Sequence, residues 1–249
     1  MNVIENIRYG KFDANILDVY IPDADTFPVF VYFHGGGLES GSKKAAFIGD
    51  LVNKGVAVVS GNYRMYPSAV FPEFIEDGAA VVAWTKEHIG QYGKIKGIYV
   101  GGSSAGAYIT QMLCFDKRYL EKYAISNADI AGYYHDAGQP TTHFNVLRER
   151  GFDTRRIVVD DAAPLYHIDD REKYPPMEIV VADNDMKNRY EQTVLLVSTL
   201  KHFGHDMSKI SFKVMKNSAH CEYDNKVNEC GNYVFAEMIY DFIEKVSKS

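Results

Sequence analysis

Cysteine is scarce in this sequence, and its scarcity excludes several chemistries. Cys114, Cys221 and Cys230 are the three present. Their spacing matches no metal-ligand pattern and their odd number closes no disulfide framework, so a reducing, cytoplasmic setting without a metal is expected. Long apolar runs are missing as well. No stretch approaches the ~20 residues that a bilayer requires, and the first six residues lack the basic and apolar regions of a secretory leader. Neither membrane association nor export is therefore expected. Basic blocks are also absent. The 27 basic and 33 acidic residues are spread along the chain for a net charge of −6, which disfavours a nucleic-acid partner. No internal repeat, low-complexity tract or Pro/Ser-rich linker divides the 249 residues, a length that suits one large domain.

What the chain does contain is alternation. Short apolar, β-branched runs at 16–21, 29–33, 56–60, 98–100, 129–133, 177–182 and 210–216 read as strands. Segments with apolar residues at helical spacing lie at 43–53, 72–88, 105–115, 189–202 and 233–246. Strands alternating with helices predict an α/β fold, a mostly parallel sheet covered on both faces.

Two glycine-rich motifs sit where predicted strands end. Gly101-Gly102-Ser103-Ser104-Ala105-Gly106 follows Ile98-Tyr99-Val100 and opens the predicted helix at 105. Gly102, Ser104 and Gly106 make a G-x-S-x-G pattern, and glycines at −2 and +2 relieve a sharp strand-to-helix turn that would otherwise clash. A frame centred on Ser103 finds alanine at 105, so Ser104 is the candidate nucleophile. A Gly/Ser turn that merely caps the helix is the plain alternative. The second motif is His34-Gly35-Gly36-Gly37, directly after the apolar run Val29–Phe33. Successive glycines leave backbone N–H groups bare, as an oxyanion requires. No G-K-[ST] follows, which argues against a phosphate loop. His34 reads as a brace for the loop rather than a base.

Together these motifs resemble the esterase/lipase branch of the α/β-hydrolase fold related to hormone-sensitive lipase, and the likeness runs from about Ile16 to the final helix. The chain also looks similar to bacterial acetyl- and feruloyl-type carboxylesterases. The resemblance implies a fold with a mostly parallel central sheet over residues 1–249. It implies backbone amides of Gly36, Gly37 and Ala105 as oxyanion donors, and no cofactor.

In that fold the chain order is serine, acid, histidine. The order leaves His220, beyond the predicted strand 210–216 and the loop Asn217-Ser218-Ala219, as the base. The acid should close the strand 177–182, where Asp183 and Asp185 are both candidates. Similar sequences favour Asp185, leaving Asp183 to accept backbone N–H groups in the turn. Arg64 and Tyr66-Pro67 read as an anchor for the glycine loop, Asp77 and Trp84 as scaffold, and Cys221 as packing.

The segment 138–176 shows no clear alternation and is expected to form a small cap or lid. Phe144, Val146 and Leu147 would be its apolar wall, and Tyr133, Tyr134 and His135 would line the alcohol side. A surface excursion packed on the body is the alternative. The expected activity is hydrolysis of short-chain or aromatic acyl esters, with acetyl or feruloyl groups on carbohydrate as a specialisation. The partner is then a small-molecule ester; the sequence does not reveal oligomeric state. An amidase such as an aryl-formamidase could use the same triad. A non-catalytic binding protein on this fold would have lost a base or nucleophile, and neither is missing.

Overall fold

The computed structural model describes residues 1–248. An eight-stranded sheet runs through the molecule in the order β1-β2-β4-β3-β5-β6-β7-β8. β1 (Asn2–Arg8) and β2 (Ile16–Ile21) form an antiparallel edge, and β2 is also antiparallel to β4 (Ala57–Gly61). β3 (Thr26–Phe33), β4, β5 (Lys94–Ser103), β6 (Gly132–Asp136), β7 (Met177–Asn184) and β8 (Ile210–Ala219) are parallel. Parallel strands buried on both faces read as continuous apolar runs, and from Val29 to Phe33 β3 is almost fully covered.

Helices cover the two faces. On one side lie α1 (Ile48–Asn53) and α7 (Val234–Ser247), with Leu51, Phe235, Ile239 and Phe242 packed on Phe30, Val58 and Tyr134. On the other lie α2 (Glu73–His88), α3 (Ala105–Phe115) and α6 (Arg189–His202), with Phe74, Ile109 and Leu196 over Val31 and Val100. Each fully buried side chain of this kind contributes about 1.5–3 kcal/mol. All eleven residues of α3 are buried, making it the central helix. The short α4 (Arg118–Glu121) and α5 (Phe144–Glu149) complete the set. No helix among the described residues is long and apolar enough to cross a membrane.

Several boundaries depart from the sequence reading, among them those of β5, which extends beyond the expected 98–100 at both ends. The helix expected over 43–53 shrinks to α1, because Lys43 and Lys44 both bind Asp18 at 2.7 Å instead of joining a helix. The N-terminal segment, which has no strong period, pairs as β1. The strand expected at 129–133 lies three residues later as β6. Finally β8 runs on to Ala219, so His220 follows strand backbone directly. All six parallel strands end on one side of the sheet, the usual side for α/β sites.

Candidate active site

Ser104 stands between β5 and α3 with φ 54° and ψ −112°, a region that costs a side-chain-bearing residue about 1–3 kcal/mol. The surroundings enforce it. Ser104 N–H donates to the carbonyl of Asp136 at 2.7 Å. A methyl on Gly106 would fall inside the carbonyl of Phe33, and one on Gly102 would lie 2.6 Å from the Gly106 carbonyl carbon. The turn is thus held by backbone packed on backbone, which only glycine permits.

His220 Nε2 lies 2.8 Å from Ser104 Oγ, and His220 Nδ1 lies 2.6 Å from Asp185 Oδ1. An ionised carboxylate can only accept, so Nδ1 donates and Nε2 is free to accept the serine proton. The Asp185 side chain is fully buried, while that of His220 is about a quarter exposed. Asp185 also accepts from the amide of Met186 at 2.7 Å. Asp183 faces elsewhere. It accepts from the amides of Asn217 and Ser218 at 3.1 and 3.3 Å, tying β7 to the end of β8. Those backbone donors hold its carboxyl below the usual range.

The amides of the tetrad loop are left without partners among the described residues. Gly36 (φ +111°) and Gly37 (φ +65°) adopt conformations that favour glycine, and neither amide donates within the described chain. Ala105, first residue of α3, has no acceptor one turn back. The loop is braced at several points. His34 Nδ1 lies 2.7 Å from the Gly35 carbonyl, and its ring stacks on Tyr63 at 4.5 Å. Burial holds this imidazole below its ordinary pKa, against the pull of that carbonyl. Tyr63 donates to the carbonyl of His34, and Tyr66 N–H donates to that of Leu38. Arg64 instead pairs with Asp77 at 2.9 Å and Glu73 at 2.7 Å on α2, so it secures the start of that helix rather than the loop. Asn145 is the brace that sequence reasoning missed. Buried on α5, it donates to the Gly37 carbonyl at 2.7 Å across 108 residues of chain, and nothing local announces that contact.

The expected wall residues divide. Tyr133, Tyr134 and His135 are wholly buried and do not line a site. With β6 three residues later than expected they occupy mid-strand, so Tyr133 enters the core under α3 and Tyr134 the core under α7. Leu147 and Val146 are likewise wholly buried, on the inward face of α5. Phe144 alone sits at the surface of the site: its Cζ would lie 3.1 Å from a methyl on Gly37. The segment 138–176 is correspondingly of two kinds. Its first ten residues apart from Phe144 are core, pinned by Thr141 to Gln192 (2.8 Å) and Thr142 to Asp160 (2.7 Å). The stretch 151–157 is exposed.

Behind the serine lies a buried acidic cluster. Asp136, Cys221 and Asp224 place ligand-capable atoms within 4.8 Å of one another, the one grouping of three among the described residues that could hold a metal. Its chemistry fits a proton better. Burial pushes the Asp136 carboxyl up, opposed by the hydrogen bond from Tyr223, and burial together with Asp136 pushes Asp224 up as well. Two buried carboxyls this close cannot both ionise. Burial likewise raises the Cys221 thiol well above its usual value, so it is no nucleophile. A separate cavity of about 430 Å³, lined by Pro176, Met177, Lys209 and Phe242, opens at the opposite ends of the strands and is remote from Ser104.

A family model described as BD-FAE matches residues 17–146. The chain is 34% identical over 112 residues to a kynurenine formamidase of Salmo salar, covering 43% of this chain and 37% of that protein. It is 34% identical over 116 residues to a probable carboxylic ester hydrolase, LipM, of Mycobacterium tuberculosis, covering 43% of this chain and 27% of the relative. The chain therefore spans roughly a third of the length of these relatives. Among solved structures, a truncated carbohydrate esterase from gut microbiota superposes with a TM-score of 0.79 at 18% identity, over 100% of this chain and 97% of that one. The fold is that of the α/β-hydrolases.

Proposed function

The chain belongs to the BD-FAE family, and from that premise we propose that it is a serine carboxylesterase acting on short-chain or aromatic acyl esters. Acetyl or feruloyl groups on carbohydrate are its proposed natural targets. The observation that carries this reading is the relay from Asp185 through His220 to Ser104, with both contacts under 3 Å. Serine alone is a weak nucleophile, and an oriented imidazole within hydrogen-bond reach is what activates it.

In the proposed reaction Ser104 Oγ adds to the ester carbonyl carbon while its proton passes to His220 Nε2. The oxyanion takes hydrogen bonds from the amides of Gly36, Gly37 and Ala105, each such donor being worth about 3–4 kcal/mol in the transition state. The C–O bond to the alcohol then breaks and His220 protonates the leaving oxygen. Water repeats the attack on the acyl-enzyme, giving its proton to His220. Ser104 leaves with that proton and the carboxylic acid is released. Asp185 holds the imidazole in the right tautomer and balances the imidazolium. Release of p-nitrophenol from p-nitrophenyl acetate by the protein and by Ser104→Ala tests the reading; equal rates would reject it.

A second reading has a specific observation in its favour, the similarity to kynurenine formamidases. The same relay can expel an amine. Paired rates on an aryl acetate and the matching aryl formamide separate ester from amide preference.

A further inference from the structure

A cavity of about 350 Å³ lies between α5, the start of α6 and the exposed stretch 151–157. Its lining includes Phe144, which lies against Gly37 of the tetrad loop, and Met186, next to Asp185 in sequence. A substrate acylating Ser104 therefore has this cavity beside it. Its lining has a single sign of charge. Arg155, Arg156, Lys187 and Arg189 line it and no carboxylate does, in a protein whose net charge is −6.

Arg189 is the anchor of this asymmetry. It is 3% exposed, yet among the described residues it has no carboxylate within ion-pair distance. Its guanidinium donates to the carbonyl of Ala137 and to Gln139 Oε1 (3.3 Å), two neutral acceptors, with the charge of Asp185 acting from beyond contact. A buried cation held by neutral groups leaves much of its field unanswered, and an anion placed nearby gains accordingly. Arg156 and Lys187 form no ion pair with any described residue, while Arg155 is held by Asp153 at 2.6 Å. The positive end of α6 points to the same space. The remaining walls combine the apolar side chains of Phe144, Ile157 and Met186 with the amide groups of Gln139, Asn188 and Gln192, and the cavity is open to solvent. That mixed lining can meet the apolar C–H face of a sugar ring while its charged and amide groups reach the ring's polar edge.

We propose that the alcohol half of the substrate is an acidic sugar, a uronic-acid unit whose carboxylate is taken up by Arg156, Lys187 and Arg189 while Phe144 and Met186 meet its apolar face. This deepens the carboxylesterase reading and rests on it for turnover, though not for binding. Acetate release is measured from methyl 2,3-di-O-acetyl-galacturonoside and from its primary carboxamide, which differ only in charge. At low ionic strength KM for the carboxylate is expected to be about tenfold lower than KM for the carboxamide. The difference is expected to shrink with added salt and to fall to about twofold or less in Arg156→Gln/Lys187→Gln, both exposed positions whose change leaves the core intact. Equal KM values, or a preference that survives the double substitution, would overturn the proposal.

Binding is read separately in Ser104→Ala, by ligand-observed NMR titration of trigalacturonate and its fully amidated form. Tighter binding of the acid, lost in the double substitution, supports the site; equal binding overturns it. If neither ester is cleaved, the carboxylesterase reading falls, and this titration still decides the acidic-sugar site by itself.

Discussion

The two halves of the candidate site are held in different ways. The nucleophile half, from β5 through Ser104 into α3, is fixed by contact: Gly102 and Gly106 bring backbone against backbone with no room for a methyl group. The acid and base half, beyond β7 and β8, is fixed by hydrogen bonds. Asp183 holds the amides of Asn217 and Ser218, and Asp185 holds the amide of Met186 and His220. The first half should fail by unfolding, the second by losing turnover while the fold survives.

The sharpest way to test this contrast is Asp185→Asn. Geometry is kept but the tautomer is lost, so kcat on p-nitrophenyl acetate should fall by about 10³–10⁴ with little change in melting temperature. Asp183→Asn should cost less than about tenfold in kcat and about 1 kcal/mol in stability. Comparable losses of turnover in the two variants would erase the distinction between these aspartates. Gly106→Ala comes next. The methyl has no space against Phe33, and a loss of about 4 kcal/mol or more in urea unfolding is expected. A stable Gly106→Ala protein would show that the elbow is not held sterically.

Asn145→Ala should have a smaller effect. It leaves the Gly37 carbonyl unpaired at a cost of about 1–3 kcal/mol and loosens a proposed oxyanion donor. A drop of about tenfold in kcat with KM nearly unchanged is the expected signature. The last effect concerns pH and leaves turnover aside. Burial holds His135 neutral, its pKa lowered to about 3, against Thr110 at 2.9 Å. The unfolded chain takes up this proton below about pH 6.5 and the folded one does not, so stability falls as pH drops from there toward 3. His135→Gln should lessen that slope by up to about 1.4 kcal/mol per pH unit, read from urea midpoints between pH 6.5 and 4.5.

The same contrast explains what the sequence disclosed. Steric necessity writes itself into local residue choice, so the glycines around Ser104 and the tetrad after β3 could be read directly. The order of elements led to His220 and to the pair Asp183 and Asp185, and the carboxyl lying against His220 is that of Asp185. Contacts made across long stretches of chain left no local trace. Asn145 on Gly37 and Arg189 on Ala137 have side chains ordinary for any helix. Tyr133 and Tyr134 misled for another reason: an apolar run does not announce its register, and a shift of three residues turns apparent wall residues into core. β1 escaped because an edge strand with mostly exposed side chains carries no continuous apolar signal.

Asp136 joins the two halves. Its carbonyl receives the amide of Ser104, and its carboxyl receives Tyr223 and lies 3.6 Å from the Cys221 sulfur, one residue past His220. Ser104 and the residue after His220 are therefore tied to the same aspartate. A substitution that alters the Asp136 carboxyl thus acts on the Tyr223 and Cys221 side alone, while the tie to Ser104, made by backbone, stays in place.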